Sequence, residues 1–130
     1  MNKVMRNPRD ERKNKGRRKL LLPRLRVMCG KDIALGPGKV ELLKHIQNSG
    51  SILRAARAMN MSYMRAWKLL KTMENCFKRP LVSKSRGGRG GGNAKLTAEG
   101  EKALVLYEKM ENECLNAASK TWETLVRELK

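Results

Sequence analysis

Residues able to bind a metal or to form a structural disulfide are scarce in this sequence. Its three cysteines, Cys29, Cys76 and Cys114, lie far apart and form no CxxC pair, and His45 is the only histidine. A zinc site would therefore lack ligands at usable spacings, and an odd number of scattered cysteines does not fit a disulfide framework. We expect no metal and no cofactor, and a reducing cytoplasm as the location of the protein.

Long hydrophobic runs are also missing. The leucines at residues 20–22 stop at Pro23, and this run is too short for the hydrophobic region of a signal peptide. No apolar run approaches the roughly 18 residues of a membrane span. No strongly basic helix has a bulky aromatic face of the kind that lies on membranes, and aromatic residues make up only 4% of the chain. The sequence therefore predicts no membrane partner.

The arrangements of residues that carry catalysis are absent as well. The basic part of the chain has no paired carboxylates, no nucleophile beside a base and no cluster of metal ligands. His45 falls in a predicted helix, where a surface or partly buried position fits better than catalysis. The glycine-rich stretch at residues 85–93 does not end in Gly-Lys-Ser/Thr at a helix start, as a nucleotide-binding loop does. We therefore expect that the protein is not an enzyme.

Positive charge is what the sequence has in excess. Lys and Arg number 30 against 12 Asp and Glu in 130 residues, a formal net charge of +18. Residues 1–26 hold 11 basic and 2 acidic side chains, residues 27–96 hold 14 and 3, and residues 97–130 hold 5 and 7. The excess thus stops at the last segment, as expected if only the first two parts face a polyanion. Nucleic acid is the first candidate.

The stretch at residues 50–71, GSILRAARAMNMSYMRAWKLLK, predicts two helices joined by a tight turn. Ser51 is a good N-cap for the first helix, Asn60 tolerates the left-handed conformation that ends it, and Ser62 caps the second helix. A pair of small alanines in the first helix lets the second approach closely. This arrangement is a helix-turn-helix, whose second helix meets base edges in the major groove of DNA.

The second of these helices, predicted at residues 63–77, has an apolar face for the core, with Trp67 near it, and an opposite basic edge. Arg65 is the best candidate for reading sequence because arginine can form a bidentate pair with guanine, and Lys68 is the next. Tyr63 either touches DNA or buries its ring. The alternative to DNA binding is that the basic edge is simply the solvated face of a small helical domain. The candidate DNA contacts in the helix-turn-helix are Ser51, Arg54, Ser62, Tyr63, Met64, Arg65 and Lys68.

A glycine-rich segment follows these helices. Two short strands are predicted around Leu81–Ser83 and Ala94–Leu96, and the residues between them include SRGGRGGGN. Because glycines let a backbone come close to sugar and phosphate, we predict a hairpin wing in which Arg86 and Arg89 enter or span a minor groove. The alternative is a disordered surface loop.

The N-terminal part of the chain changes character near residue 23. Residues 1–22 are dense in Lys and Arg without a sustained apolar period, which predicts a flexible arm that either solvates the chain or tracks phosphates. From Arg24 the residues alternate, with Leu25, Val27 and Cys29 on one side, and predict a small β-hairpin that turns at residues 30–31. A helix with one apolar face then runs to Gly50.

The last segment, residues 97–130, predicts one long helix with Thr97 as its N-cap. About 32 helical residues reach nearly 50 Å, longer than the body of so small a domain, so we expect a second copy of the helix to cover part of its apolar stripe. The alternative is a break near residues 116–120 that lets the helix fold back. The stripe consists of Ala103, Tyr107, Met110, Cys114, Ala118, Trp122, Leu125 and Leu129.

Residues 33–110 resemble the N-terminal DNA-binding region of the ModE family of molybdenum-dependent transcriptional regulators, a winged helix-turn-helix related to that of LysR-type regulators. The most specific parts of the resemblance are SYMRAW at residues 62–67 and GGRGGGNAKLT at residues 87–97. The resemblance implies a homodimer held by the long last helix. It also implies DNA contacts by the recognition helix and by the wing.

The sequence departs from the full-length family because the chain ends at Lys130, directly after the predicted helix. Family members carry C-terminal molybdate-binding domains, so we expect a single-domain form that does not itself bind molybdate. The predicted fold is mainly α with small β elements. It comprises an arm (1–22), a winged helix-turn-helix domain (23–96) and a dimerisation helix (97–130). The predicted function is sequence-specific regulation of transcription on double-stranded DNA, and the alternative is a nonspecific architectural DNA-binding protein.

Overall fold

A computed structural model of the chain describes residues 17–85 and 93–130. The fold of this part is mainly helical with two small antiparallel hairpins, as predicted. Residues Arg24–Tyr107 form one compact unit, and Glu108–Lys130 belong to a second unit together with the described residues up to Pro23. The elements in chain order are β1 (Val27–Cys29), β2 (Asp32–Leu35), α1 (Pro37–Ser49), α2 (Ile52–Ala58), α3 (Tyr63–Cys76), β3 (Val82–Ser85), β4 (Asn93–Leu96) and α4 (Ala98–Val126).

The first hairpin joins β1 to β2 through a turn at the predicted position. Gly30 has a φ of 61°, which its missing Cβ permits without strain. Leu25 and Val27 pack against the core, whereas Met28 on the opposite side is 54% exposed. Alternation placed Cys29 on the same side as Leu25 and Val27, but Cys29 is exposed, and the strand register shifts between Val27 and Met28.

Helix α1 begins and ends at residues that suit a helix terminus. Pro37 occupies the first turn, where its missing N–H leaves no donor unsatisfied. Gly50 ends the helix with a φ of 71°, and its N–H donates to the Ile46 carbonyl at 2.8 Å. Lys39 is also buried and donates its ammonium to the Ile33 carbonyl of β2, which the sequence did not predict. The apolar core face of the helix is Val40, Leu42, Leu43 and Ile46.

The turn between α2 and α3 is a Schellman motif. Asn60 has a φ of 55°, the left-handed conformation predicted for it, and its N–H donates to the Arg57 carbonyl at 3.1 Å. The N–H of Met61 reaches back to the Ala56 carbonyl at 3.0 Å. These two bonds satisfy carbonyls that the end of a helix would otherwise leave without partners. The chain therefore reverses within a few residues and starts α3 directly afterwards.

The second hairpin pairs β3 with β4 in a regular antiparallel register. Val82 lies opposite Leu96 and Lys84 opposite Ala94. Val82, Ala94 and Leu96 are buried, so one side of this hairpin belongs to the core. We call the hairpin of β3 and β4 the wing. The predicted glycine loop between its strands lies outside the described residues, and so do Arg86 and Arg89.

Helix α4 starts at the predicted cap and runs without a break. The Thr97 hydroxyl accepts a hydrogen bond from the Gly100 N–H at 3.1 Å and donates to the Pro80 carbonyl at 2.7 Å. The helix continues through residues 116–120, so the predicted alternative of a break there is wrong. It ends at Val126. Its 29 residues correspond to a length of about 44 Å.

The apolar core lies within the unit of residues Arg24–Tyr107 and combines residues from every helix of that unit. Tyr107 is 2% exposed, and its hydroxyl donates to the Leu25 carbonyl at 2.8 Å, which joins α4 to the segment before β1. Among the helices that the structure describes, none is both long and apolar enough to cross a membrane. The most deeply buried large side chains are Leu42, Leu43, Ile46, Leu70, Met73, Leu81 and Tyr107.

Candidate nucleic-acid interface

Helix α3 has one buried face and one exposed face at its start. Ala66, Leu70 and Met73 are each 0% exposed and hold the helix against the core. Tyr63 is 44% exposed and Met64 57%. The ring of Tyr63 is therefore not buried, so the predicted alternative in which the ring is buried is wrong. Arg65 and Lys68 are exposed beside them, so the predicted basic edge lies on the protein surface.

The N-caps of α2 and α3 are built in the same way. The Ser51 hydroxyl accepts a hydrogen bond from the Arg54 N–H at 3.2 Å, and the Ser62 hydroxyl accepts from the Arg65 N–H at 3.1 Å. Each bond satisfies one of the donors that open a helix. Each cap also precedes an exposed arginine by three residues, so the cap fixes the backbone from which the arginine side chain extends. The two helix starts thus present Arg54 and Arg65 to solvent.

The cations of this surface have no acidic partners within residues 17–85 and 93–130. Two ion pairs there join Arg79 to Glu99 at 3.3 Å and His45 to Glu41 at 3.8 Å, and neither includes Arg54, Arg65 or Lys68. An exposed cation without a neighbouring carboxylate keeps its full charge for an external anion. The surface is therefore suited to a polyanion.

Trp67 lies beside this surface. It was predicted near the core face of α3, and it is half-buried there. The ammonium nitrogen of Lys71 lies 5.8 Å from its ring centroid, and that of Lys84 on β3 lies 5.9 Å away. Alternation along β3 was a usable signal, since Lys84 falls two residues after the buried Val82 and hence on the same side of the strand.

The structure brings two cysteines together that the sequence places far apart. Partial burial raises the pKa of the Cys76 thiol, and a hydrogen bond with the Cys29 thiol raises it further. Both cysteines are free thiols. The described part of the chain contains no group of three or more potential ligands that could hold a metal ion.

Comparisons with known proteins agree with this geometry. A family model described as the bacterial regulatory helix-turn-helix protein, lysR family, matches residues 38–101. The molybdenum transport protein ModE of Azotobacter vinelandii is 38% identical over 92 residues, which cover 71% of this chain and 34% of that protein. The DNA-binding transcriptional dual regulator ModE of Escherichia coli K12 is 40% identical over 72 residues, 55% of this chain and 28% of that protein. The chain carries a ModE-like helix-turn-helix domain.

A relative with a different name matches the same kind of segment. The molybdenum-pterin-binding protein MopA of Rhodobacter capsulatus is 38% identical over 77 residues, 59% of this chain and 29% of that protein. Aligned regions thus span about a third or less of these relatives, and what their names say about molybdenum describes those proteins. The match to residues 38–101 takes in α1, α2, α3, the wing and the start of α4. The ModE-like domain therefore contains the exposed basic surface described above.

Proposed function

We propose that this protein is a sequence-specific regulator of transcription that binds double-stranded DNA through its ModE-like domain. The observation that carries the proposal is the start of α3, where a capped helix presents exposed polar and basic side chains while its other face is fully buried. A helix held in this way can enter a major groove without disturbing the core. We call α3 the recognition helix.

Within the recognition helix we assign base contacts to the first turns. Arg65 carries a planar guanidinium with paired donors that match the O6 and N7 acceptors of guanine, so it is the main reader of sequence. Lys68, one turn later, is the second reader. Tyr63 and Met64 supply apolar surface for a thymine methyl group. Ser62 positions the helix start and contacts DNA from there.

The remaining candidates are assigned to the DNA backbone. Ser51 and Arg54 open α2, the helix that crosses the backbone in helix-turn-helix complexes, and contacts there fix register without reading bases. Arg86 and Arg89 of the wing are proposed to lie on a minor groove. Residues 1–22 are proposed to act as an arm along phosphates. Both of these last assignments rest on residue type and charge.

We also propose that the protein acts as a homodimer through residues 97–130. The support is the part of the predicted apolar stripe on α4 that is exposed, where Met110 is 39% exposed and Leu125 53%. Large exposed apolar side chains repeated along one helix favour pairing with a second copy. Two recognition helices would then meet half-sites about 34 Å apart, so the operator should be partly palindromic.

A binding role, rather than a catalytic one, is proposed for this chain. Its relatives include proteins named as transcriptional regulators. The partners we propose are double-stranded DNA and a second copy of the chain. DNA binding also accounts for our proposed location in the cytoplasm.

The decisive experiment maps the DNA bound by the full chain and then measures affinity for the recovered site against a random duplex at the same salt concentration. A specific regulator should prefer its site by about 10³-fold or more. Arg65→Ala should relax the preference at one base pair and leave random-duplex binding nearly unchanged. Equal affinity of the wild-type protein for both duplexes would instead support the nonspecific architectural role. A control variant, Lys44→Gln at an exposed position of α1, should keep the preference for the recovered site.

A further inference from the structure

Two lysines from different elements meet at one tryptophan next to the basic edge of the recognition helix. Lys71 follows Trp67 by one helical turn, and its ammonium nitrogen lies 5.8 Å from the centroid of the indole ring. Lys84 comes from the wing, and its ammonium nitrogen lies 5.9 Å from the same centroid. Trp67 is therefore the point at which the recognition helix and the wing bring their positive charges together.

The position of Lys84 follows from the register of the wing. It lies opposite the buried Ala94 and on the same side of β3 as Val82, which is 4% exposed. Lys84 itself is exposed, so this side of β3 is covered by the core at Val82 but no longer at Lys84. A lysine on the inner side of a strand is directed at whatever the strand packs against. Here that neighbour is the half-buried ring of Trp67.

Nothing in the described part of the chain neutralises this pair of charges. No carboxylate there forms an ion pair with Lys71 or Lys84. Each ammonium nitrogen lies within 6 Å of the same ring centroid, and the negative face of an indole attracts a cation. Two positive charges around one ring, neither of them paired with a carboxylate, favour an anion that both flexible lysine side chains can reach.

We propose that Lys71, Lys84 and Trp67 form a binding site for one backbone phosphate of duplex DNA, between the recognition helix and the wing. This inference rests on the proposed function of the chain. A phosphate fits better than a base edge because a lysine ammonium is a point charge that suits phosphate oxygens and lacks the planar fork that reads guanine. Lys71 also lies beyond the first turns of α3, where base contacts are made.

Trp67 acts in this site as a positioning residue. Lysine side chains lose considerable conformational freedom when they are held in one place, and a ring that already attracts both ammonium groups reduces that loss on binding. The indole itself need not touch DNA. Replacing it by a smaller ring should therefore preserve the site, and replacing it by an aliphatic side chain should impair it.

The test measures affinity of the full chain for a fluorescein-labelled random-sequence duplex between about 50 mM and about 200 mM salt, the range over which phosphate contacts change affinity most visibly. The variants are Lys71→Gln, Lys84→Gln, Trp67→Phe and Trp67→Leu. Lys44→Gln on α1 is the matched control, since it removes one exposed charge outside the site. Urea denaturation of each variant shows whether the fold is retained.

Each of Lys71→Gln and Lys84→Gln should reduce the magnitude of the salt slope, and the two changes combined should reduce it by about 0.9 and weaken binding about 8-fold near 0.1 M salt, as loss of one phosphate contact does. Trp67→Phe should behave as wild type, whereas Trp67→Leu should weaken binding and make the later loss of Lys84 less costly. In a Trp122→Phe background, the emission of Trp67 should change when the duplex is added.

Two outcomes overturn these ideas separately. In the first, the wild-type protein binds duplex DNA, but Lys71→Gln and Lys84→Gln have the same salt slope as Lys44→Gln. That result would refute the phosphate site and leave the proposed function intact. In the second, the two lysine variants show the predicted salt slopes, but the wild-type protein prefers no mapped site over a random duplex. That result would support the phosphate site and refute sequence-specific regulation. A wild-type chain that binds no duplex refutes both.

Discussion

The backbone N–H of Ala94 donates to the carbonyl oxygen of Gly50 at 2.8 Å. This bond joins β4 of the wing to the residue that separates α1 from α2. The N–H of the same glycine is already bonded to the Ile46 carbonyl, so both backbone groups of Gly50 are used. The wing and the helix-turn-helix therefore share one backbone junction, and its geometry depends on a residue that adopts a positive φ.

Gly50→Ala should lower the free energy of unfolding by about 1 kcal/mol or more, because an alanine is strained at the φ of 71° found there. Gly38→Ala is the matched control. A Cβ at that helical position meets no atom within 4 Å, and the substitution should stabilise the protein by about 0.4–1 kcal/mol. Urea unfolding measures both changes, and equal effects of the two variants would contradict the role of the positive φ.

Gly100→Ala should destabilise the protein for a different reason. A Cβ at this position would lie 2.2 Å from the Leu81 carbonyl oxygen, so α4 or the β3 entry must shift. We expect a loss of about 1–3 kcal/mol, typical of overpacking. Glu101→Ala, at the next and exposed position, should change stability by less than about 0.5 kcal/mol. Thermal unfolding that cannot tell the two variants apart would show that the contact relaxes freely.

Tyr107→Phe should cost about 1–3 kcal/mol because it leaves the Leu25 carbonyl oxygen without the phenol donor that bonds it at 2.8 Å. The core packing of the ring is kept, so the loss reports the polar contact. Tyr63→Phe removes a hydroxyl from a ring that is 44% exposed and should leave stability unchanged. Chemical denaturation of the pair measures the difference.

Ser62→Asp should separate stability from DNA binding. An aspartate can cap α3 as serine does, so the free energy of unfolding should stay within about 0.5 kcal/mol of wild type, whereas Ser62→Ala should lose about 1 kcal/mol. The new carboxylate would stand at the proposed DNA surface and repel phosphates, so affinity should fall at least 10-fold with Asp. Retained affinity in Ser62→Asp would place DNA elsewhere on the molecule.

Alkylation of Cys76 should require a higher pH than an ordinary thiol because partial burial and the Cys29 thiol raise its pKa. A raised pKa means that less thiolate, the reactive form, is present at any pH below it. The midpoint of Cys76 alkylation should therefore lie above the usual value of about 8.5 and should fall in Cys29→Ala, which removes one cause of the shift. Mass spectrometry of the Cys76 peptide across a pH series measures the midpoint. An unchanged midpoint in Cys29→Ala would argue against the contact between the two thiols.

The sequence by itself determined the features of this protein that depend on nearest neighbours along the chain. Ser51, Ser62 and Thr97 act as N-caps, and Asn60 ends α2 in the left-handed conformation, because a cap or turn needs a particular side chain or φ at one position. The basic surface could also be predicted from the distribution of Lys and Arg, and the resemblance to a family from the order of residues in the SYMRAW stretch. The ModE-like domain was predicted on that basis, and the family comparison confirmed it.

Only the tertiary structure decided which distant residues meet. Packing brings Lys84 of the wing to Trp67, the Tyr107 hydroxyl to Leu25, and the ammonium group of Lys39 to a carbonyl of β2. Local pattern indicates that a side chain faces inwards or outwards, but not which atom lies opposite it, because that depends on the angle and distance at which whole elements pack. For this reason the basic edge of α3 could be predicted from its spacing, whereas the junction of the recognition helix with the wing could not.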